Sequence, residues 1–295
     1  MKRFTLLFIL IFVFIKFAGA EFKWPVVRPV FTSHFGESRH DHWHNGIDII
    51  AGTRYSLTPP TDSEVVFRRD EADTPMPDRF GAGNLIVLHH PANLRTFHYH
   101  LVKGSIIQNK TKLTRDDIFA TMGNSGKSSG THLHMSLYST KDDSILNPID
   151  YFPKVEDTKK PKIKKILLRD PMNDYINIFK VKRMRKRSHF RVIVVVHDIM
   201  EGRNRGKSPV GARKVILKID DKKVKEFSFD KIVLRNRRYC LNGDPDKTFK
   251  RTYISLPYYM DMAGIVINKS KYKFTAIVVD NGGNRKSKSV TVKFY

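Results

Sequence analysis

The sequence predicts a mainly β chain in two parts, and three observations predict it. Runs rich in β-branched residues, separated by Asn, Asp and Gly turns, recur through the second half. Two histidine-bearing segments of the first half show a period of two, as half-buried strands do. Between the halves lies a polar, charged stretch bounded by prolines. The length of 295 residues suits two domains at about 100–200 residues each.

The chain opens with Lys2-Arg3, an apolar run from Phe4 to Ile15, and Ala18-Gly19-Ala20, which together read as a secretory signal peptide over residues 1–20. Cleavage after Ala20 leaves a mature chain from Glu21, delivered to the periplasm or the outside. The apolar run falls short of the about 20 residues that a membrane span needs, and Lys16 interrupts it. No transmembrane span is therefore expected after cleavage. No Cys stands near the cleavage point to carry a lipid. Trp24-Pro25-Val26 starts the first domain so early that no N-terminal inhibitory segment is expected.

Within that first domain, residues 21–153, the two alternating segments carry the chemistry. In His44-Asn45-Gly46-Ile47-Asp48-Ile49-Ile50 the period of two turns Asp48 to a cleft and Ile47 and Ile49 away from it. In His132-Leu133-His134 both histidines share one face and Leu133 enters the core. Imidazole nitrogen and carboxylate oxygen are ligands that zinc accepts at tetrahedral corners, and a catalytic site keeps three protein ligands and one corner for water. An HxxxD segment with one His of an HxH supplies such a set. Between these segments Arg68 to Phe80, with Asp70, Glu71, Asp73, Pro75, Pro77 and Asp78, reads as a long loop of the kind that carries selectivity, or that docks a basic neighbour.

Residues 154–161 have linker composition. Beyond them, residues 162–295 offer strands at 162–168, 190–196, 215–219, 274–279 and 290–294, with Asp280-Asn281-Gly282-Gly283-Asn284 as a hairpin before the last. Several short strands at this spacing suggest an immunoglobulin-like β-sandwich. The lone Cys240 excludes an intramolecular disulfide, so the fold rests on its core.

Charge is divided unevenly. From Lys162 to Lys293 there are 34 basic and 12 acidic residues, a net +22 of the chain's +25. Such a field favours polyanionic partners by attraction that salt screens over about 8 Å at physiological ionic strength. No nucleic-acid-binding motif accompanies it, so no nucleic acid partner is expected. Anionic envelope polymers fit better.

The ordered motifs Ser33-His34-Phe35-Gly36, His44-Asn45-Gly46-Ile47-Asp48, Gly83-Asn84-Leu85-Ile86-Val87, His98-Tyr99-His100-Leu101 and Gly123 to His134 resemble the lysostaphin-type (LytM-like) zinc metallopeptidases. The closing Asn147-Pro148-Ile149-Asp150-Tyr151-Phe152 is similar to that domain's end. The resemblance implies an antiparallel β-sheet domain in which His44, Asp48 and His134 hold Zn2+ and His100 and His132 are catalytic, flanking the attacking water. It implies an endopeptidase of bacterial peptidoglycan that cuts cross-links or stem peptides. Met135-Ser136 stands where the family usually has Phe-Glu, and His98 where it usually has Tyr, which bears on substrate preference. His34, His40, His42, His89, His90, His98, His189 and His197 match no ligand position, although His40 and His42 lie near enough in sequence to line the rim. With no HExxH glutamate, histidine must do the proton chemistry. Two other classes use the same sequence: a non-catalytic wall-binding activator of other hydrolases, which would typically lack zinc ligands, and a secreted protease of Gly-rich proteins.

Overall fold

The computed structural model describes residues 21–52, 54–73, 81–198, 210–254 and 258–295. Residues 1–20, where a signal peptide is expected, and the loop residues 74–80 lie outside the described residues. The chain is mainly β with antiparallel sheets, as expected.

The first half is built on β1 (Val30–Ser33), β2 (Ile47–Ile50), β3 (Ser63–Arg69), β4 (Asn84–His90), β5 (Leu94–Leu101), β6 (Leu133–Ser139) and β7 (Ser144–Leu146). Strand β6 is central: β5 pairs with its whole length, β2 with its start and β7 with its end. Alternation explains why these sequences are strands. Ile47, Ile49, Leu133, Met135 and Leu137 point into one core with Leu57, Ile86, Leu88 and Leu101, all fully buried. Asp48 and His134, register partners on β2 and β6, face the other way.

The second half comprises β8 (Lys162–Arg169), β9 (His189–His197), β10 (Lys214–Ile219), β11 (Lys222–Ser228), β12 (Lys231–Arg235), β13 (Arg238–Leu241), β14 (Tyr259–Val266), β15 (Lys271–Val279) and β16 (Arg285–Phe294). Strands β8, β9 and β14 with Tyr175–Asn177 form a four-stranded sheet; β16, β15, β10 and β11 with Arg183–Met184 form a five-stranded one. The two share a core of Ile166, Phe190, Val192, Val194, Val215, Phe227, Phe274 and Val278, which is a β-sandwich. Residues 280–284 do make the turn before the last strand.

Two strands leave the sandwich. After β11 the chain crosses at Phe229-Asp230, and β12 pairs antiparallel with β7: Ser144 faces Val233, Ile145 faces Ile232 and Leu146 faces Lys231. The ten-stranded sheet that carries Asp48 and His134 therefore continues into the β12–β13 hairpin, whose two-residue turn has Asn236 and Arg237 at positive φ, the conformation that suits a right-twisted hairpin. Asn147, at the end of β7, donates to the Phe229 carbonyl at 2.9 Å, and its N–H donates to Asp230 O. Traffic in the other direction is as marked: Phe35 and Trp43 of the first half lie in the core of the second. The stretch between the halves is pinned, by Trp24 Nε1 to the Pro153 carbonyl and by Asn284 Nδ2 to the carbonyls of Asp157 and Lys159.

Candidate metal centre and catalytic cleft

Three donor atoms converge on one point: His44 Nε2, Asp48 Oδ1 and His134 Nδ1, separated pairwise by 2.9–3.0 Å. Donors at two corners of a zinc tetrahedron stand about 3.3 Å apart, from Zn–N bonds of about 2.0 Å, so the trio is close to that spacing. The tautomers fit as well. His44 Nδ1 lies 2.8 Å from the His34 carbonyl, which takes its N–H and leaves Nε2 with a lone pair. His134 Nε2 lies 3.0 Å from Asn45 Oδ1, which takes its N–H and leaves Nδ1 as the donor atom. Orientation of ligand imidazoles by such outer partners is what metal sites require.

Asp48 is held at its second oxygen by Arg39, whose Nη2 donates to Oδ2 at 2.8 Å and to Ser33 Oγ at 2.6 Å. Burial opposes the charge on Asp48, but His44 and His134 outweigh it and keep the carboxyl well below the usual carboxylate range. Burial lowers His134 to about 4, against the Asp48 hydrogen bond, so its imidazole is neutral and available to a metal.

His132 and His100 flank the trio. His132 gives its Nδ1–H to the Gly130 carbonyl at 2.7 Å and sets Nε2 at 3.7 Å from Asp48 Oδ1. His100 gives its Nδ1–H to the Ser125 carbonyl at 2.8 Å, and burial lowers it to about 4 despite that acceptor. Their ring centroids are 5.0 Å apart. His100 has φ +63°, a left-handed backbone that costs energy in any residue with a Cβ. The kink brings two successive residues to the cleft: Tyr99 reaches His134, centroids 4.9 Å apart, and His100 reaches His132. All five histidine and aspartate positions singled out in the sequence are thus brought together.

Other residues of the cleft were not legible as such. Arg39, Asn45 and Ser33 had no assigned role, although each lies within a few residues of a ligand. Glu37 was missed altogether. It is buried, and it accepts from Ser33 Oγ at 2.6 Å, His34 N at 2.5 Å and, across the boundary, Gly211 N at 2.7 Å. Burial raises its carboxyl to about 7. Ser33 Oγ is in turn 3.2 Å from His44 Nδ1, so the Glu37 carboxyl links the second half to a zinc-ligand candidate. Close approach explains two glycines here: a Cβ on Gly36 would lie 2.3 Å from Phe229, and one on Gly211 would lie 2.6 Å from Glu37.

His40 and His42 are exposed on the turn between Ser38–Arg39 and His42–Trp43, where His42 pairs with Asp41 at 2.6 Å. Neither contacts the three donors among the described residues. His98 is fully buried on Phe119 and lowered to about 3 by burial, a neutral core group. In the loop after Arg68, Asp70 accepts from Ala72, Gly104 and Ile106 N–H groups, so its described part is bound within the first half.

Residues 42–148 match the family model described as Peptidase family M23, and the chain carries an M23 peptidase domain there. Residues 160–295 match a second family model that names no activity. No curated protein matches the chain. Among solved structures it is similar to a zinc-containing peptidase from Vibrio cholerae, at 25% identity and TM-score 0.33, covering 40% of this chain and 37% of that one. It is also similar to the catalytic domain of a prophage-encoded M23 protein from Enterococcus faecalis, at 22% identity and TM-score 0.36, covering 44% and 96%. A third is the catalytic domain of the antimicrobial peptidase lysostaphin from Staphylococcus simulans, at 15% identity and TM-score 0.34, covering 42% and 91%. The chain spans well under half of the Vibrio protein. Among the described residues no helix is long and apolar enough to cross a membrane.

Proposed function

We propose that this chain is a secreted or periplasmic zinc metalloendopeptidase that hydrolyses peptide bonds in the cross-links or stem peptides of bacterial peptidoglycan. The observation that carries the reading is the convergence of His44 Nε2, Asp48 Oδ1 and His134 Nδ1 with both imidazole tautomers fixed by His34 and Asn45. These three would hold the metal, with Arg39 steadying the Asp48 carboxylate. Zinc held there supplies a Lewis acid and brings the pKa of water to about 7.

The chain's own residues do the rest. His132 and His100, each with Nδ1–H committed to a backbone carbonyl, present Nε2 as proton acceptor. One takes the proton of the attacking water and the protonated imidazole returns it to the leaving amine. Only when protonated at Nε2 would the other donate to the carbonyl oxygen as it gains charge, since its Nδ1–H is already taken by a backbone carbonyl. General acid–base help of this kind is typically worth ~10²–10⁴ in rate.

The intact donor set argues against a non-catalytic activator. A protease of Gly-rich proteins would use the same residues, and a zymogram on purified wall against soluble protein separates the two. The decisive experiment is mass spectrometry of fragments released from defined peptidoglycan by the zinc-loaded protein and by His44→Ala. Specific peptide-bond cleavage by the first and none by the second is expected; no fragments from either would sink the reading. The +22 charge of the second half supports attachment to anionic envelope polymers. Retention on purified wall at low salt and release at high salt is expected, and binding indifferent to salt would remove that role.

A further inference from the structure

The sheet that carries the metal-ligand candidates does not stop at the edge of the peptidase domain, and its open face is continuous. Cross-strand partners share a face. On β5 and β6 the partners are Tyr99 with His134, Phe97 with Ser136 and Arg95 with Tyr138. From Tyr138 the row runs to Ile145 on β7, then to Ile232 on β12, with Leu234 and its partner Tyr239 beside it. All of these except His134 and Arg95 line a cleft of about 310 Å³, within the ~300–1,000 Å³ of ligand sites, and Arg95 stands beside it as the register partner of Tyr138.

Two features mark the floor as a binding surface. Leu234 is 45% and Tyr239 56% exposed, two large apolar groups side by side where a soluble surface avoids them. At its other end the floor starts at the metal trio: Asn45 Oδ1 and Ser136 Oγ lie 3.0 and 3.2 Å from His134 Nε2, whose Nδ1 is a ligand candidate. A substrate held at the metal therefore has one direction in which to extend over aromatic rings. Phe97 and Tyr99 are stacked there, and Phe97 meets Tyr138 edge-on.

Charge selects the occupant. Tyr138 lies within electrostatic reach of Arg95 and of Tyr239. Arg95 makes no ion pair among the described residues, and its Nε is buried without a hydrogen-bond partner. Among the described residues the one carboxylate that lines the cleft, Asp143, already accepts from the Tyr138 hydroxyl. A free cation beside an apolar floor suits a peptide that carries a free carboxylate.

We infer that the β12–β13 hairpin of the second half completes a substrate subsite, in which the acidic peptide chain flanking the scissile bond lies on Phe97, Tyr138, Leu234 and Tyr239 with a free carboxylate on Arg95. The inference rests on the endopeptidase reading for its substrate, and the hairpin is its own addition. The subsite acts on binding; Tyr239 and Arg95 are specificity residues remote from the reacting atoms.

The test uses the full chain and two probes, a cross-linked muropeptide with free carboxylates and the same molecule amidated. Affinity is measured on protein stripped of metal, and KM and kcat on zinc-loaded protein. Tyr239→Ala is expected to weaken binding about tenfold, the scale of one aromatic contact, and to raise KM with kcat unchanged. Tyr239→Phe restores both, and Tyr175→Ala, an exposed tyrosine elsewhere on the second half, changes neither. Arg95→Gln loses affinity for the acidic probe alone. Equal affinity of wild type and Tyr239→Ala, or equal losses of both probes in Arg95→Gln, overturns the subsite or its carboxylate preference respectively. Binding lost in Tyr239→Ala with no cleavage by wild type keeps the subsite and refutes the endopeptidase. Absence of binding by wild type overturns the proposed occupant.

Discussion

His134 and His44 offer the same kind of atom to the same point, yet the chain holds them in opposite ways. His134 and Asp48 sit as register partners on β6 and β2, over a core made wholly by the first half. His44 ends a loop that has Phe35 and Trp43 buried in the core of the second half, Gly36 against Phe229, and Glu37 on the Gly211 N–H. Two of the three donors are thus fixed by local sheet geometry and the third by a surface some 170 residues away in sequence. The difference teaches that a domain boundary drawn by composition need not be a boundary of the site.

The contrast can be broken most decisively by cutting the chain. Residues 21–161 alone would expose Phe35, Trp43 and the edge of β7, and are expected to aggregate or to lack zinc, whereas residues 159–295 keep nearly all of their core and are expected to fold as a β-rich unit. Circular dichroism and elemental analysis of both pieces check this. A first half that folds and binds zinc as the full chain does would show that the second half is no scaffold.

Next in size are the ligand candidates. His44→Ala and Asp48→Ala are each expected to lose zinc and activity completely, and full zinc occupancy in His134→Ala would overturn the assignment. His132→Ala and His100→Ala are expected to keep zinc and to lose activity ~10²-fold or more. Near-normal turnover in both would end the two-histidine mechanism.

The finest comparison is between the outer partners. Glu37→Gln leaves the volume unchanged but replaces one acceptor oxygen, so Ser33 or the backbone donors lose a partner. A ~10-fold loss of zinc affinity is expected, the lower end for a group that orients a ligand. Zinc affinity unchanged in Glu37→Gln, measured by chelator competition, would show that His44 needs no support from across the boundary.

How much of this was legible follows from the range of each interaction. Alternation placed Ile47, Asp48, Ile49 and Leu133 correctly, because a strand's period is set locally. The five sandwich strands were visible for the same reason. The β12–β13 hairpin was not, because Ile232, Val233 and Leu234 announce a strand but not the sheet it joins. Glu37 stayed hidden because its significance lies in the Gly211 N–H, and no local pattern links the two. His100 was found through the resemblance, while its positive φ carries no sequence mark.

The Tyr253 hydroxyl donates to the Gly36 carbonyl at 3.0 Å across 217 residues of chain. Loop closure over such a distance is slow, since its entropy must be spent before the contact gives anything back. During synthesis the His44 loop emerges early and waits for Gly211, Phe229 and Tyr253 to follow it. A nascent or prematurely ended chain has the His132 and His134 strand and Asp48, but not the platform that sets His44. Competence of the centre then arrives only once the second half has been made, a form of timing written into contact order.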